Sequence, residues 1–164
     1  MAHSQELVVF SYASPFANAK LLPERRFSFL GCDVVVRQQC REDGRGGTEL
    51  GFGAAVYEAA FVLADWLSLH GEVLGARVLE LGCGVGLVSI ACAALAGPLA
   101  QGVFVMTDGD ATSVQLATEN VERNRVGDKV AVQRLMWGPD VEQLGQFDVV
   151  LGTSRCLSRR QGSK

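Results

Sequence analysis

Arg77-Val-Leu-Glu-Leu-Gly-Cys-Gly-Val-Gly-Leu87 joins a short, nearly continuous apolar run to three glycines at alternate positions. The run Arg77 to Leu81 has the length and composition of a buried strand. Glycines at 82, 84 and 86 let the backbone turn sharply after that strand and approach a ligand where a Cβ would collide. The dinucleotide fingerprint G-x-G-x-x-G requires a third glycine at 87, and the chain has Leu87 there, which argues against a dehydrogenase. Leu87 to Ala96 reads as a buried helix closed by Gly97-Pro98. Strand, glycine turn and helix therefore follow one another directly.

Downstream, Val103-Phe-Val-Met-Thr107 is a second strand ending at Asp108, and a helix from about Asp110 to Asn124 carries Val114, Ala117 and Val121 on one stripe. Lys129 to Leu135 forms a third strand and Phe147 to Leu151 a fourth. Upstream, Ala55, Ala59, Val62, Leu63, Trp66 and Leu67 recur at three- and four-residue spacing, which predicts an amphipathic helix from Ala54 to Leu69 stopped near Gly71. Arg41 to Gly53 is rich in glycine and charge and reads as a loop. Before it, Arg26-Phe-Ser-Phe-Leu-Gly-Cys-Asp-Val-Val-Val-Arg-Gln38 predicts two short strands folded about Gly31 to Asp33, with Phe27 and Phe29 on one side. Apolar strands alternating with helices indicate an α/β domain with a parallel sheet covered on both faces. Ligands bind such sheets at the carboxyl ends of the strands, near the switch point. The division expected is a loose arm over 1–25, a domain over 26–152 and a basic tail over 153–164.

The 164 residues, 48% hydrophobic and 20% charged, suffice for one compact domain. No stretch approaches the roughly 18 apolar residues of a membrane helix, and Leu7 to Phe10 lacks the basic leader of a secretory signal, so neither is expected. Cys32, Cys40, Cys83, Cys92 and Cys156 are odd in number and widely spaced, with only His3 and His70 beside them. That excludes a zinc motif and a disulfide framework, and points to a reducing compartment. A net charge of −3 gives no electrostatic case for nucleic acid as the main partner. The charge is uneven: Arg155, Arg159, Arg160 and Lys164 leave the preceding part at −7.

Among single residues, Asp108 stands where a carboxylate can accept both hydroxyls of a ribose. Capping the following helix is its other possible role, for which Asp110 competes. Trp137, just past the third strand, is suited either to stacking on adenine or to ordinary packing. Cys83 sits between motif glycines with no histidine nearby, so it is read as structural and not as a nucleophile. His70 is expected to meet free carbonyls at a helix end, Cys92 to be core, and Trp66 to pack in the core or an interface.

Glu80 with Gly82, Gly84 and Gly86 resembles motif I of S-adenosylmethionine methyltransferases. The hairpin from Phe27, Val56-Tyr-Glu-Ala-Ala60 with Leu63-Ala-Asp-Trp-Leu67, motif I, Thr107-Asp108, Asn120-Val-Glu-Arg-Asn124, Leu135-Met-Trp-Gly138 and Phe147-Asp-Val-Val-Leu-Gly152 follow in that order. Together they resemble the methyltransferase-like 21 group of protein-lysine methyltransferases, within methyltransferase family 16. The resemblance implies a Rossmann-like class I fold with an N-terminal β-hairpin and S-adenosyl-L-methionine as cofactor; no metal is expected from the cysteine and histidine pattern. It implies cofactor contacts from Tyr57, Gly82, Cys83, Gly84, Asp108, Trp137 and Thr153, with Glu80 and Gly86 completing motif I. It also implies a protein substrate presenting a lysine, such as a chaperone or translation factor, and a cytoplasmic location, with the nucleus as a second compartment. No catalytic residue is assigned.

Two departures from the family stand out. Tyr57 replaces a usual tryptophan. After Gly152 the family continues with Ala-Asp and then an aromatic residue, whereas this chain runs Thr153-Ser-Arg-Cys-Leu. The expectation is a fold that lacks the C-terminal half of its sheet and turns over poorly, with the fourth strand left as a sheet edge. The rival readings are a noncatalytic cofactor- or partner-binding form and a small-molecule or nucleic-acid methyltransferase. Against the last, Gly-Thr-Ser-Arg stands where Asn/Asp-Pro-Pro-Tyr/Phe would be expected.

Overall fold

The computed structural model describes residues 18–39, 50–51, 53–97, 101–136, 138 and 144–153. A single 3-10 turn, Asn18–Leu21, precedes strand β1 (Glu24–Phe29), which pairs antiparallel with β2 (Cys32–Arg37). The expected arm therefore gives way to ordered strand at Glu24, inside the 1–25 boundary. The hairpin turns on Leu30 and Gly31, not on Gly31 to Asp33. Both turn residues have positive φ, 46° and 80°. That mirror-image turn matches the right-handed twist of the strands, so Cys32 and Asp33 join β2. Phe27 and Phe29 face inward as expected, and each lies 5.9 Å, centroid to centroid, from Phe61.

Helix α1 spans Glu58–Leu69 and starts four residues later than its periodicity predicted. Ala54, Ala55 and Val56 are buried but not helical, because their backbone bonds go elsewhere. Gln39 N–H donates to the Ala54 carbonyl and Val56 N–H donates to Gln38 Oε1, both at 2.8 Å. Ala64, Leu67 and Ser68 form the buried stripe, whereas Val62 and Trp66 lie on the outer face at 63% and 51% exposure. Trp66, expected in the core or an interface, stacks on His70 with centroids 4.0 Å apart. His70 Nδ1 meets the Trp66 carbonyl at 2.7 Å, the helix-end role expected of it.

A 3-10 turn, Gly71–Gly75, leads into β3 (Arg77–Leu81), then α2 (Leu87–Ala96), β4 (Val103–Asp108), α3 (Ala111–Arg123), β5 (Val130–Arg134) and β6 (Val149–Gly152). The last strand starts two residues later than expected. The four central strands are parallel in the order β5-β4-β3-β6. The chain thus runs outward from β3 to β5 and returns to the other side of β3, which puts the switch point between β3 and β6. β6 is an edge of the described sheet, and its Val150 is 59% exposed. Helix α2 is buried from Leu87 through Ala93, Cys92 included, and shares one core cluster with Val78, Phe104 and Met106. Among the described residues no helix is long and apolar enough to cross a membrane.

Candidate functional site

The carboxyl ends of β3, β4 and β6 converge on the glycine turn. Gly82, Gly84 and Gly86 have φ of 69°, 54° and 89°, the left-handed region closed to most side chains. At Gly86 the restriction is doubled, since an added Cβ would collide with Met106 Cε. Cys83 N–H donates to the Thr107 carbonyl at 2.9 Å, and Gly86 N–H to the Cys83 carbonyl at 2.9 Å. The turn is thereby stitched to β4 and closed on itself. The Cys83 thiol is buried, and burial pushes its pKa far above the ordinary thiol value. It is an inert packing group.

Asp108 joins the ends of the two strands. One carboxylate oxygen accepts Gly84 N–H at 2.9 Å, and the other accepts Asp110 N–H at 3.0 Å. The cap of α3 is Asp110, which accepts Ser113 N–H at 2.8 Å, and that bond holds the Asp110 carboxyl below its usual range. Of the two roles open to Asp108, the structure assigns the helix cap to its neighbour. Each Asp108 oxygen keeps a further lone pair, the capacity that two vicinal hydroxyls call for.

Glu80 lies on the inner face of β3 at 1% exposure. Its Oε2 accepts both the backbone N–H and the hydroxyl of Ser89, in the first turn of α2. Gly86, the residue at the cap position, has no side chain to do this, so Glu80 caps the helix from the strand beneath it. Burial pushes the carboxyl up to about 7, with Asp108 adding to the effect and Ser89 opposing it. Expected among the cofactor contacts, Glu80 is instead placed beneath the turn, where it fixes the start of α2.

Tyr57 occupies the N-cap position of α1, with Lys20 Nζ 4.6 Å above its ring. Four residues before it, Gly53 lies against the turn: an added Cβ would collide with Ser113 and stand 3.4 Å from Gly84 Cα. Four residues span at most ~14 Å, which bounds the distance of Tyr57 from that contact. Thr153 follows Gly152, the last residue of β6 and the partner of Leu81 at the end of β3. Trp137 is outside the described residues. Its neighbour Met136 is 64% exposed, and its sulfur is what a Cβ on Gly109 would meet at 3.2 Å. The sequence assigns no role to Gly53, Ser89 or Met136, although Gly53 ends the glycine-rich loop and Met136 stands in Leu135-Met-Trp-Gly138. Among the described residues no group of three or more side chains could hold a metal ion.

A model of the lysine methyltransferase family matches residues 40–157. The chain belongs to that family. It is 33% identical over 136 residues to the protein N-lysine methyltransferase METTL21A of Mus musculus, covering 79% of this chain and 56% of that protein. It is 35% identical over 130 residues to the EEF1A lysine methyltransferase 3 of Mus musculus, covering 77% and 51% respectively. The chain thus spans about half the length of these curated relatives. Among solved structures, the O-methyltransferase from Bacillus cereus in complex with SAH is similar at a TM-score of 0.46 and 24% identity, covering 59% of this chain and 44% of that one. The family's methyl donor is S-adenosylmethionine. The glycine turn, the β4 aspartate and the α/β order that imply a class I methyltransferase are all present in the structure.

Proposed function

We propose that this chain binds S-adenosylmethionine across the carboxyl ends of β3, β4 and β6 and serves the N-methylation of lysine on a protein substrate. The observation that carries the reading is Asp108, held by Gly84 N–H at the lip of a positive-φ glycine turn with acceptor capacity to spare. The residues fit the cofactor. Asp108 would accept the ribose hydroxyls, and the turn from Gly82 to Gly86 would admit the backbone-close part of the ligand. Met136 offers an apolar wall beside Asp108, Tyr57 an aromatic face, and Thr153 a hydroxyl at the end of β6. Trp137 as the adenine partner rests on the family resemblance.

The chemistry supplied by the bound sulfonium is displacement: a neutral lysine amine forms a bond to the methyl carbon as the carbon–sulfur bond breaks, sulfur keeps that electron pair, and the nitrogen's surplus proton passes to water. The chain's share is positioning, which can lower such a barrier by roughly 7–11 kcal/mol. The names of the two mouse proteins support lysine on a protein as the acceptor; a translation factor or chaperone as the acceptor, and the cytoplasm and nucleus as the location, belong to the same proposal. The free thiols Cys32, Cys83 and Cys92 suit a reducing compartment. Calorimetry with S-adenosylhomocysteine and NAD, followed by transfer of labelled methyl to lysate proteins, tests it. Binding of S-adenosylhomocysteine and labelled methyl-lysine are expected. NAD binding without S-adenosylhomocysteine binding overturns the cofactor, and label confined to nucleic acid or small molecules overturns the substrate.

A further inference from the structure

Asn120 is fully buried on α3, and its amide meets two other segments at once. Its Oδ1 accepts Arg37 N–H at 2.8 Å, while Nδ2 donates to the Arg37 carbonyl at 3.0 Å and to the Val85 carbonyl at 2.9 Å. One helical turn later, Asn124 Oδ1 accepts Val35 N–H at 2.9 Å and its Nδ2 donates to the Val35 carbonyl at 2.7 Å. Residues four apart on a helix are separated by ~6 Å along its axis. Residues two apart on a strand are separated by ~6.6 Å. The Asn-x-x-x-Asn spacing therefore lets two side-chain amides pair with the outer edge of β2 as a neighbouring strand would.

The two asparagines differ in one respect. Asn124 spends its second amide hydrogen on the Asn120 carbonyl within α3, whereas Asn120 reaches Val85, between two glycines of the turn. The peptide joining Val85 to Gly86 is thus fixed on both sides, with its carbonyl on Asn120 and its N–H on the Cys83 carbonyl. The same end of the hairpin holds the opposite wall of the site. Gln38 Oε1 accepts Val56 N–H and Gln39 N–H donates to the Ala54 carbonyl, and these anchor the segment that sets Gly53 against Gly84.

We infer that the hairpin β1–β2 is a scaffold for the cofactor site, and that Asn120 is a positioning residue that sets the shape of the glycine turn from β2. The inference rests on the cofactor reading above. Asn120 touches no reacting atom; it acts through the Val85 peptide. Replacing it by aspartate keeps one acceptor for Arg37 N–H but removes both donors, so the Val85 carbonyl loses its partner. Asn124→Asp removes the equivalent grip on Val35 and leaves Val85 alone.

The test compares the purified wild-type chain with Asn120→Asp and Asn124→Asp. Thermal unfolding, the Kd for S-adenosylhomocysteine by calorimetry, and hydrogen exchange of the 82–90 segment are measured for each. Both variants should unfold at lower temperature. Only Asn120→Asp should bind at least tenfold more weakly and exchange faster across 82–86 in the absence of ligand. If Asn120→Asp does not fold, Asn120→Ser is read against Asn124→Ser in the same way. Equal Kd values in the two variants, whether unchanged or equally weakened, overturn the inference while the cofactor reading stands. A wild-type chain that binds no S-adenosylhomocysteine overturns both.

Discussion

The buried Glu80 makes the stability of this domain depend on pH in a direction opposite to that of most carboxylates. Its carboxyl is raised from 4.5 to about 7, chiefly by burial on β3, and the two bonds from Ser89 only partly offset that cost. The folded state therefore holds the proton more tightly than the unfolded chain does. Its stabilising contribution is complete below pH 4.5, declines as pH rises through about 7, and is flat above. At about 1.4 kcal/mol per pH unit, the change is ~3 kcal/mol. Glu80→Gln removes the titration but keeps an oxygen able to accept from Ser89. Urea unfolding of both proteins at several pH values, taken as the difference between them, cancels every other titrating group. The variant should gain about 3 kcal/mol on the wild type between pH 4.5 and 8. Parallel stability curves across that range would show that the carboxyl ionises in the folded protein as easily as in water, and would refute the argument that burial outweighs the two bonds from Ser89.

Asp108→Ala should weaken S-adenosylhomocysteine binding at least tenfold by calorimetry, since charge-assisted bonds contribute on the order of 1.5–3 kcal/mol each; an unchanged Kd in a folded variant would reduce Asp108 to a brace for Gly84 and Asp110. Gly86→Ala should cost roughly 2 kcal/mol or more in chemical denaturation, because the left-handed backbone and the contact with Met106 both oppose a Cβ. Lys129 is 8% exposed, and its Nζ has no hydrogen-bond acceptor among the described residues. Lys129→Met should therefore raise the unfolding temperature, reflecting ~1–3 kcal/mol, and a drop would mean that the ammonium is satisfied in solution. Val150→Lys places a charge on β6, an edge of the described sheet, and should slow aggregation without lowering the unfolding temperature, as judged by light scattering on heating; equal aggregation would show that this edge is not the route.

The strands and helices around the glycine turn were legible because their causes are local. Arg77–Leu81 and Leu87–Ala96 were placed to the residue, since an apolar run, three alternate glycines and Gly97 each act on the backbone at their own position. α1 was misread at its start and on its outer face. The expected start at Ala54 fails because Gln39 N–H, fifteen residues upstream, takes the Ala54 carbonyl, and Gln38 Oε1 takes the Val56 N–H. Val62 and Trp66 obey the helical period and still face outward, because period sets which residues share a stripe and packing sets which stripe is buried.

The same division holds at the site. Sequence by itself determined that a glycine turn follows a strand and that an aspartate ends the next one, because both depend on spacing along a single βαβ unit. It could not decide whether Asp108 or Asp110 caps α3, since both lie within reach of the helix start; only the pairing of β3 with β4, which brings Gly84 N–H to Asp108, separates them. Nor could it show that Glu80 faces the helix above it, or that Asn120 and Asn124 complete a strand edge more than eighty residues away. Those contacts join elements whose separation in space is fixed by the closure of the sheet and the docking of the hairpin. They therefore exist only once the chain has folded.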